Sequence, residues 1–162
     1  MKAKKRFPFD PTIGFSQTVF CTVFGIGFIP FFPGTVGSLA GILCYVVIEQ
    51  YIQHGSVFIV LIVIPLGIYF SGIYENKRGV SDPPEIVVDE FCGQILCLLG
   101  SGITIQNLVC GFLIFRLLDI LKPPPIKYLE TFPRGWGIFL DDLFAGLIGF
   151  FALFFLRSLI LF

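Results

Sequence analysis

Apolar runs of helical length, separated by short polar links, follow one another from residue 13 to the end of the chain. The first, 13–29, is punctuated by Gly14, Gly25 and Gly27 and stops at Pro30 and Pro33, which predicts a short membrane-lying or re-entrant helix. Pro33-Gly34-Thr35-Val36-Gly37-Ser38 then reads as a turn. Beyond it, a run from Leu39 to Ile52 and another from Val57 to Tyr74 are joined by the polar link Gln53-His54-Gly55-Ser56. The pair predicts a helical hairpin across the bilayer, with His54 in a solvent-facing turn. Its first arm is short for a span, which needs about 20 residues. Pro65 is positioned to kink the second, as a membrane helix tolerates.

Glu75 to Glu90 is polar and carries the breaker Asp82-Pro83-Pro84. Residues 91–118 are apolar again but interrupted at Gly100-Ser101-Gly102 and Gln106-Asn107. Two halves of about a dozen residues would each rise only ~18 Å, so a re-entrant pair or packed interior helices are expected. Residues 119–137 are polar and rich in Pro and Gly, and 143–162 predict one more helix. The fold class is therefore all-α: a compact helical membrane protein with short and re-entrant helices. A basic arm, 1–12, precedes a single membrane-embedded domain, 13–162.

Composition places this pattern in a membrane. Hydrophobic residues make up 56% and charged residues 14%, against about 25% charged in soluble domains. Eleven basic residues balance eleven acidic ones, so nothing points to nucleic acid. The start Met1-Lys2-Ala3-Lys4-Lys5-Arg6 lacks a following signal core and suits an arm lying on anionic lipid. Lys77, Arg78 and the basic residues from Arg116 to Arg134 fall in segments that an even number of crossings places with that arm. The positive-inside rule puts all of them, and every carboxylate cluster, on the cytosolic side of a multi-pass protein. Arg157 is the one cation at the far end, where it would snorkel outward. The five cysteines lie in or beside apolar stretches without zinc-type spacing and read as small hydrophobes.

Seven of the eleven acidic residues sit at the edges of apolar segments. Charges there are costly unless cations or hydrogen-bond donors offset them, so gathered carboxylates suit a hard divalent cation such as Mg²⁺. Asp89 and Glu90 enter one apolar run together, more charge than a helix macrodipole asks for. Glu85 is weaker, compatible with a solvated loop charge. Arg116, Asp119 and Lys122 are spaced three apart, so they share one helix face, which Pro123 would end at Lys122. They form either a salt-bridge stripe or a metal-binding Asp119 flanked by cations for phosphate oxygens. Asp141 and Asp142 would open the last helix after a flexible Gly135/Gly137 entry. Thr35 and Ser38 offer hydroxyls to an anion, or simply cap a helix. Cys110 and Arg116 have the Cys-x5-Arg spacing of cysteine phosphatases, but the residues between read as apolar helix, and the match is chance.

These motifs, in this order, resemble the phosphatidylglycerophosphatase A family. The resemblance rests on Pro33-Gly34-Thr35 with Gly37-Ser38, and on Asp82-Pro83, Ile86-Val87, Asp89-Glu90 and Gly93. It extends through Arg116, Asp119, Lys122-Pro123 and Pro125-Ile126 to Gly135, Gly137-Ile138, Asp141-Asp142 and Ala145-Gly146. The chain departs from the family pattern at Arg134, Phe139 and Pro84-Glu85. The resemblance implies an all-helical enzyme of the bacterial cytoplasmic membrane that hydrolyses phosphatidylglycerophosphate to phosphatidylglycerol and phosphate with Mg²⁺. On this reading Asp89, Glu90, Asp119, Asp141 and Asp142 are expected to hold one or two Mg²⁺ ions and to take part in catalysis with Lys122. Thr35, Ser38, Arg116 and Lys122 are expected to bind the substrate. The rival is a small cation transporter or channel, whose carboxylates would lie near mid-membrane rather than at segment ends beside cations.

Overall fold

The computed structural model describes residues 13–160; the basic arm expected at 1–12 lies outside them. Seven α-helices follow in order: α1 (Phe15–Cys21), α2 (Pro33–Tyr51), α3 (Gly55–Arg78), α4 (Val88–Leu98), α5 (Ile105–Leu121), α6 (Ile126–Leu129) and α7 (Gly135–Ile160). A 3-10 turn, Ile26–Phe28, follows α1. The fold is all-α, and no strand occurs among the described residues.

Helix α4 is the axis. It packs most extensively on α7 and α2, and most of its residues are buried. At 11 residues it is only about 16 Å long, an interior helix rather than a span. Small residues let its neighbours press against its backbone. A Cβ at Gly41 of α2 would come within 2.7 Å of the Phe91 carbonyl oxygen, and one at Gly146 of α7 within 2.4 Å of the Gly93 oxygen. Such contacts substitute van der Waals packing for the hydrophobic drive that lipid removes.

Helices α3 and α7 are long and apolar enough to cross a membrane, and with them the chain is an integral membrane protein. Phe58, Leu61, Ile62 and Tyr69 of α3 and Phe151, Phe154 and Phe155 of α7 are exposed, as lipid-facing surfaces require. The expected hairpin arms are α2 and α3, and α3 continues through Pro65. At their junction His54 is exposed with φ 60°, in the polar turn the sequence predicts.

Two boundaries differ from the sequence expectation. Pro33 to Ser38 is helix, not turn, because Pro33 occupies the first helical positions, where its fixed φ is favourable and its missing N–H costs nothing. Helix α7 begins at Gly135, well before residue 143. Gly135 lies so close to α3 that a Cβ there would sit 2.0 Å from the Ile68 oxygen. Packing against α3 thus overrides the low helix propensity of Gly135, while Gly137 presses on the Glu130 and Phe132 carbonyls. Asp141 and Asp142 consequently lie inside α7 rather than at its first turn.

Candidate active site

The starts of α2, α4 and α7 meet the end of α5 around a cavity of about 240 Å³. Pro33, Gly34, Asp82, Asp89, Glu90, Asp119, Lys122, Asp141 and Asp142 line it. Four separated chain segments therefore deliver one acidic chamber.

Within it, Asp89, Glu90 and Asp142 each place a carboxylate oxygen within 4.8 Å of the others. Asp89 Oδ1 and Glu90 Oε2 are buried without a hydrogen-bond partner, as is Asp141 Oδ1. Buried carboxylate oxygens are normally satisfied, so unpartnered ones facing one another have the donor set of a hard divalent cation. Burial pushes the Glu90 carboxyl up to about 8, with Asp142 adding to the rise. Burial and the neighbouring Glu90 likewise raise Asp89 well above the ordinary range. A bound cation would reverse both effects.

The five carboxylates proposed as ligands divide in two. Asp89, Glu90 and Asp142 form the cluster, whereas Asp119 and Asp141 are held by cations. Arg116 Nη1 lies 2.5 Å from Asp119 Oδ2, the i,i+3 pair legible in the sequence. Lys122 Nζ lies 2.7 Å from Asp141 Oδ2 and also meets Glu130. The helix ends before Lys122, which takes a left-handed conformation with φ 41°. Its side chain thereby turns from the α5 stripe toward α7. Burial works against the Lys122 charge, but its bonds to Asp141 and Glu130 hold its pKa above the ordinary value.

Ser38 stands behind this layer. Its hydroxyl donates to the Gly34 carbonyl at 3.0 Å and accepts from Arg116 Nη1 at 3.4 Å. Thr35 is half-buried on α2 and does not line the cavity. Neither hydroxyl caps α2. Glu85 is not a solvated charge: it is 5% exposed and paired with Arg78 Nε at 2.8 Å. Cys110 lies apart, beside Arg157 at the opposite end, so the Cys-x5-Arg spacing carries no chemistry. The cysteines are unpaired, and Cys21, Cys92 and Cys97 are buried.

One further contributor belongs to a motif the sequence already marks, and one escaped it. Gly34 leaves room for the Glu90 carboxylate: a Cβ there would lie 2.1 Å from Glu90 Oε1. Gln94, one turn beyond Glu90, is fully buried with both amide atoms unpartnered. Its signal was an amide set into an otherwise apolar helix.

The model of a known family, phosphatidylglycerophosphatase A, matches residues 19–157. The chain belongs to that family. A phosphatidylglycerophosphatase A of Escherichia coli is 36% identical over 127 residues, covering 77% of this chain and 74% of the relative. That of Haemophilus influenzae is 36% identical over 128 residues, 76% and 78% of the two chains. A putative phosphatidylinositol-3-phosphatase of Bacteroides thetaiotaomicron is 30% identical over 136 residues, 80% and 86% of the two. No solved structure matches the chain. Family membership makes this a lipid phosphatase-like membrane enzyme, and the matched region contains every carboxylate of the chamber.

Proposed function

We propose that the protein hydrolyses phosphatidylglycerophosphate to phosphatidylglycerol and inorganic phosphate, with Mg²⁺, at the cytosolic face of the bacterial cytoplasmic membrane. The observation that carries this reading is the cluster of Asp89, Glu90 and Asp142, in which Asp89 Oδ1 and Glu90 Oε2 are buried without a partner, in a chain of the phosphatidylglycerophosphatase A family.

Asp89, Glu90 and Asp142 would hold the cation, and Asp119 and Asp141 would bound the chamber while orienting Arg116 and Lys122. Bound there, Mg²⁺ supplies Lewis-acid stabilisation of phosphoryl oxygens and activation of water. Lys122 lines the chamber and donates from its ammonium to the phosphoryl oxygens, offsetting charge that grows during transfer. Arg116, fixed by Asp119 and Ser38, adds a second positive charge behind the reacting group. The apolar outer faces of α3 and α7 keep the acyl chains in the bilayer while the head group enters the chamber. Lys77, Arg78, Lys122 and Arg134 all cluster at the chamber end of the helices, which supports a cytosolic orientation. The carboxylates gather at that end rather than mid-span, which favours hydrolysis over ion conduction.

The test is phosphate release from phosphatidylglycerophosphate by the protein in detergent, with Mg²⁺ or with chelator. Phosphatidylinositol 3-phosphate serves as the competing lipid, given the name of the Bacteroides relative. Mg²⁺-dependent release that favours phosphatidylglycerophosphate, and that drops at least 10³-fold in Asp89→Asn, is expected. A well-inserted Asp89→Asn variant with full activity would remove the carboxylate cluster from the mechanism.

A further inference from the structure

A second cavity, of about 710 Å³, opens between α3 and α7 on the lipid-facing side. It runs from Ile64 and Pro65 to Asn76 and Lys77 along α3, about 20 Å of helix, or slightly more than one leaflet of a hydrocarbon core roughly 30 Å thick. Its deep end is apolar, floored by Ile68 and Leu143. Its shallow end carries Lys77, Arg134 and Trp136.

The two cations there are available. Lys77 donates to the Ile13 carbonyl at 3.2 Å, which leaves the ammonium two further N–H groups. Arg134 is exposed, and among the described residues its guanidinium has no ion pair or hydrogen bond. The φ of 58° at Arg134, just before α7, sets its side chain beside Gly72 of α3.

The groove also leads to the chamber. Arg134 lines both the groove and a polar passage of about 300 Å³, and Asp82, Ile138 and Asp141 line both that passage and the acidic chamber. Glu75, Ser81 and Glu130 also line the passage, a set of acceptors suited to hydroxyl groups rather than to a second phosphate.

We propose that this groove holds acyl chain of the substrate lipid, with Lys77 and Arg134 receiving the phosphodiester that joins its diacylglycerol to the head group. The inference rests on the lipid-phosphatase reading and names how that site selects its substrate. The hydroxylated linker then lies in the passage, and the terminal phosphate reaches the chamber. Charge complementarity fixes the occupant: a leaflet-deep apolar groove with two cations at its mouth, neither in an ion pair among the described residues, fits an anionic phospholipid. Lys77 and Arg134 are specificity-determining residues, selecting lipids that carry a phosphodiester between diacylglycerol and terminal phosphate. A lipid whose monoester sits directly on diacylglycerol offers them nothing when its phosphate is in the chamber.

Trp136, the single tryptophan of the chain, lines the groove and reports its occupancy. The full chain in detergent is titrated with phosphatidylglycerol and with diacylglycerol, both bearing brominated acyl chains that quench tryptophan. Half-quenching by phosphatidylglycerol is expected at about tenfold lower concentration, the gain from charged hydrogen bonds to the phosphodiester. The Lys77→Gln/Arg134→Gln variant should lose that preference and show a KM for phosphatidylglycerophosphate raised about tenfold, with kcat far less affected. Equal quenching by the two lipids in the unaltered chain, or a preference that survives in the variant, overturns the proposal. Asp89→Asn separates the two readings: it should abolish hydrolysis and keep the quenching preference. A chain that never hydrolyses the lipid yet keeps the preference would strike the catalytic reading and support the groove.

Discussion

At the end of the molecule where α2 meets α3, Glu49 accepts from the His54 N–H at 2.9 Å, from the Ser56 N–H at 3.2 Å and from the Ser56 hydroxyl. Tyr45 accepts from the Gly102 N–H there at 3.2 Å, and Arg157 donates to the Gly100 carbonyl at 3.0 Å. At the opposite end, Asp89 Oδ1, Glu90 Oε2 and Asp141 Oδ1 are buried with no partner at all. The two ends also differ in burial: Glu49 is only partly buried and His54 is exposed, whereas Asp89, Asp141 and Asp142 are buried, so the unsatisfied oxygens lie where desolvation costs most. A polar group kept for structure in a membrane protein is satisfied by the protein itself. One left unsatisfied, among others like it, is available to a ligand. Arg157 illustrates the first rule: near the far end of α7 it donates to the Gly100 carbonyl in the loop between α4 and α5.

Gly34→Ala would sharpen this contrast most. A Cβ 2.1 Å from Glu90 Oε1 must displace that carboxylate, and a 10–100-fold loss of divalent-cation affinity is expected, about the cost of disturbing a ligand's support. Calorimetric titration with Mg²⁺ reads it, and unchanged affinity would take Glu90 out of the ligand set. A smaller effect follows from protonation. In the metal-free protein Glu90 titrates near about 8, above its ordinary value. The cation must displace that proton, and Asp89 is raised by burial and by Glu90 as well, so affinity climbs as pH rises through about 8. Each unit below lowers it by about tenfold or more. Titrations at pH 6, 7 and 8 check the slope, and a flat profile would mean the cation binds elsewhere. The least effect belongs to the satisfied end. Glu49→Gln removes an acceptor of structural bonds only, so a stability loss of about 1 kcal/mol is expected, read as a slightly lower thermal midpoint with phosphate release retained.

The helices were legible where composition dictates them. The α2–α3 hairpin, the short α4 and the stop at Lys122 follow from apolar runs and from Pro123. The starts at Pro33 and Gly135 were not, because glycine reads as a breaker until a neighbouring backbone is known to press against it. The chamber shows the same division. Arg116 and Asp119 pair along one helix, so spacing foretold them. Lys122 and Asp141 pair across α5 and α7, through a left-handed residue and a helix that begins early, and no local pattern encodes that contact. Hence the sequence named five carboxylates alike, while packing separates three that face one another from two held by cations. Glu85 was misjudged for a related reason: its partner Arg78 lies on the preceding helix, beyond the Asp82-Pro83-Pro84 break.

The most direct test is binding of Mn²⁺, a paramagnetic stand-in for Mg²⁺, followed by loss of its free-ion resonance as the detergent-solubilised protein is added. The account predicts that the unaltered chain takes up Mn²⁺, that Mg²⁺ displaces it, and that Asp89→Asn and Asp142→Asn each weaken uptake at least tenfold while Glu49→Gln does not. Equal uptake by all four proteins would contradict it, because the cation would then not be held by the carboxylates that α4 and α7 bring together.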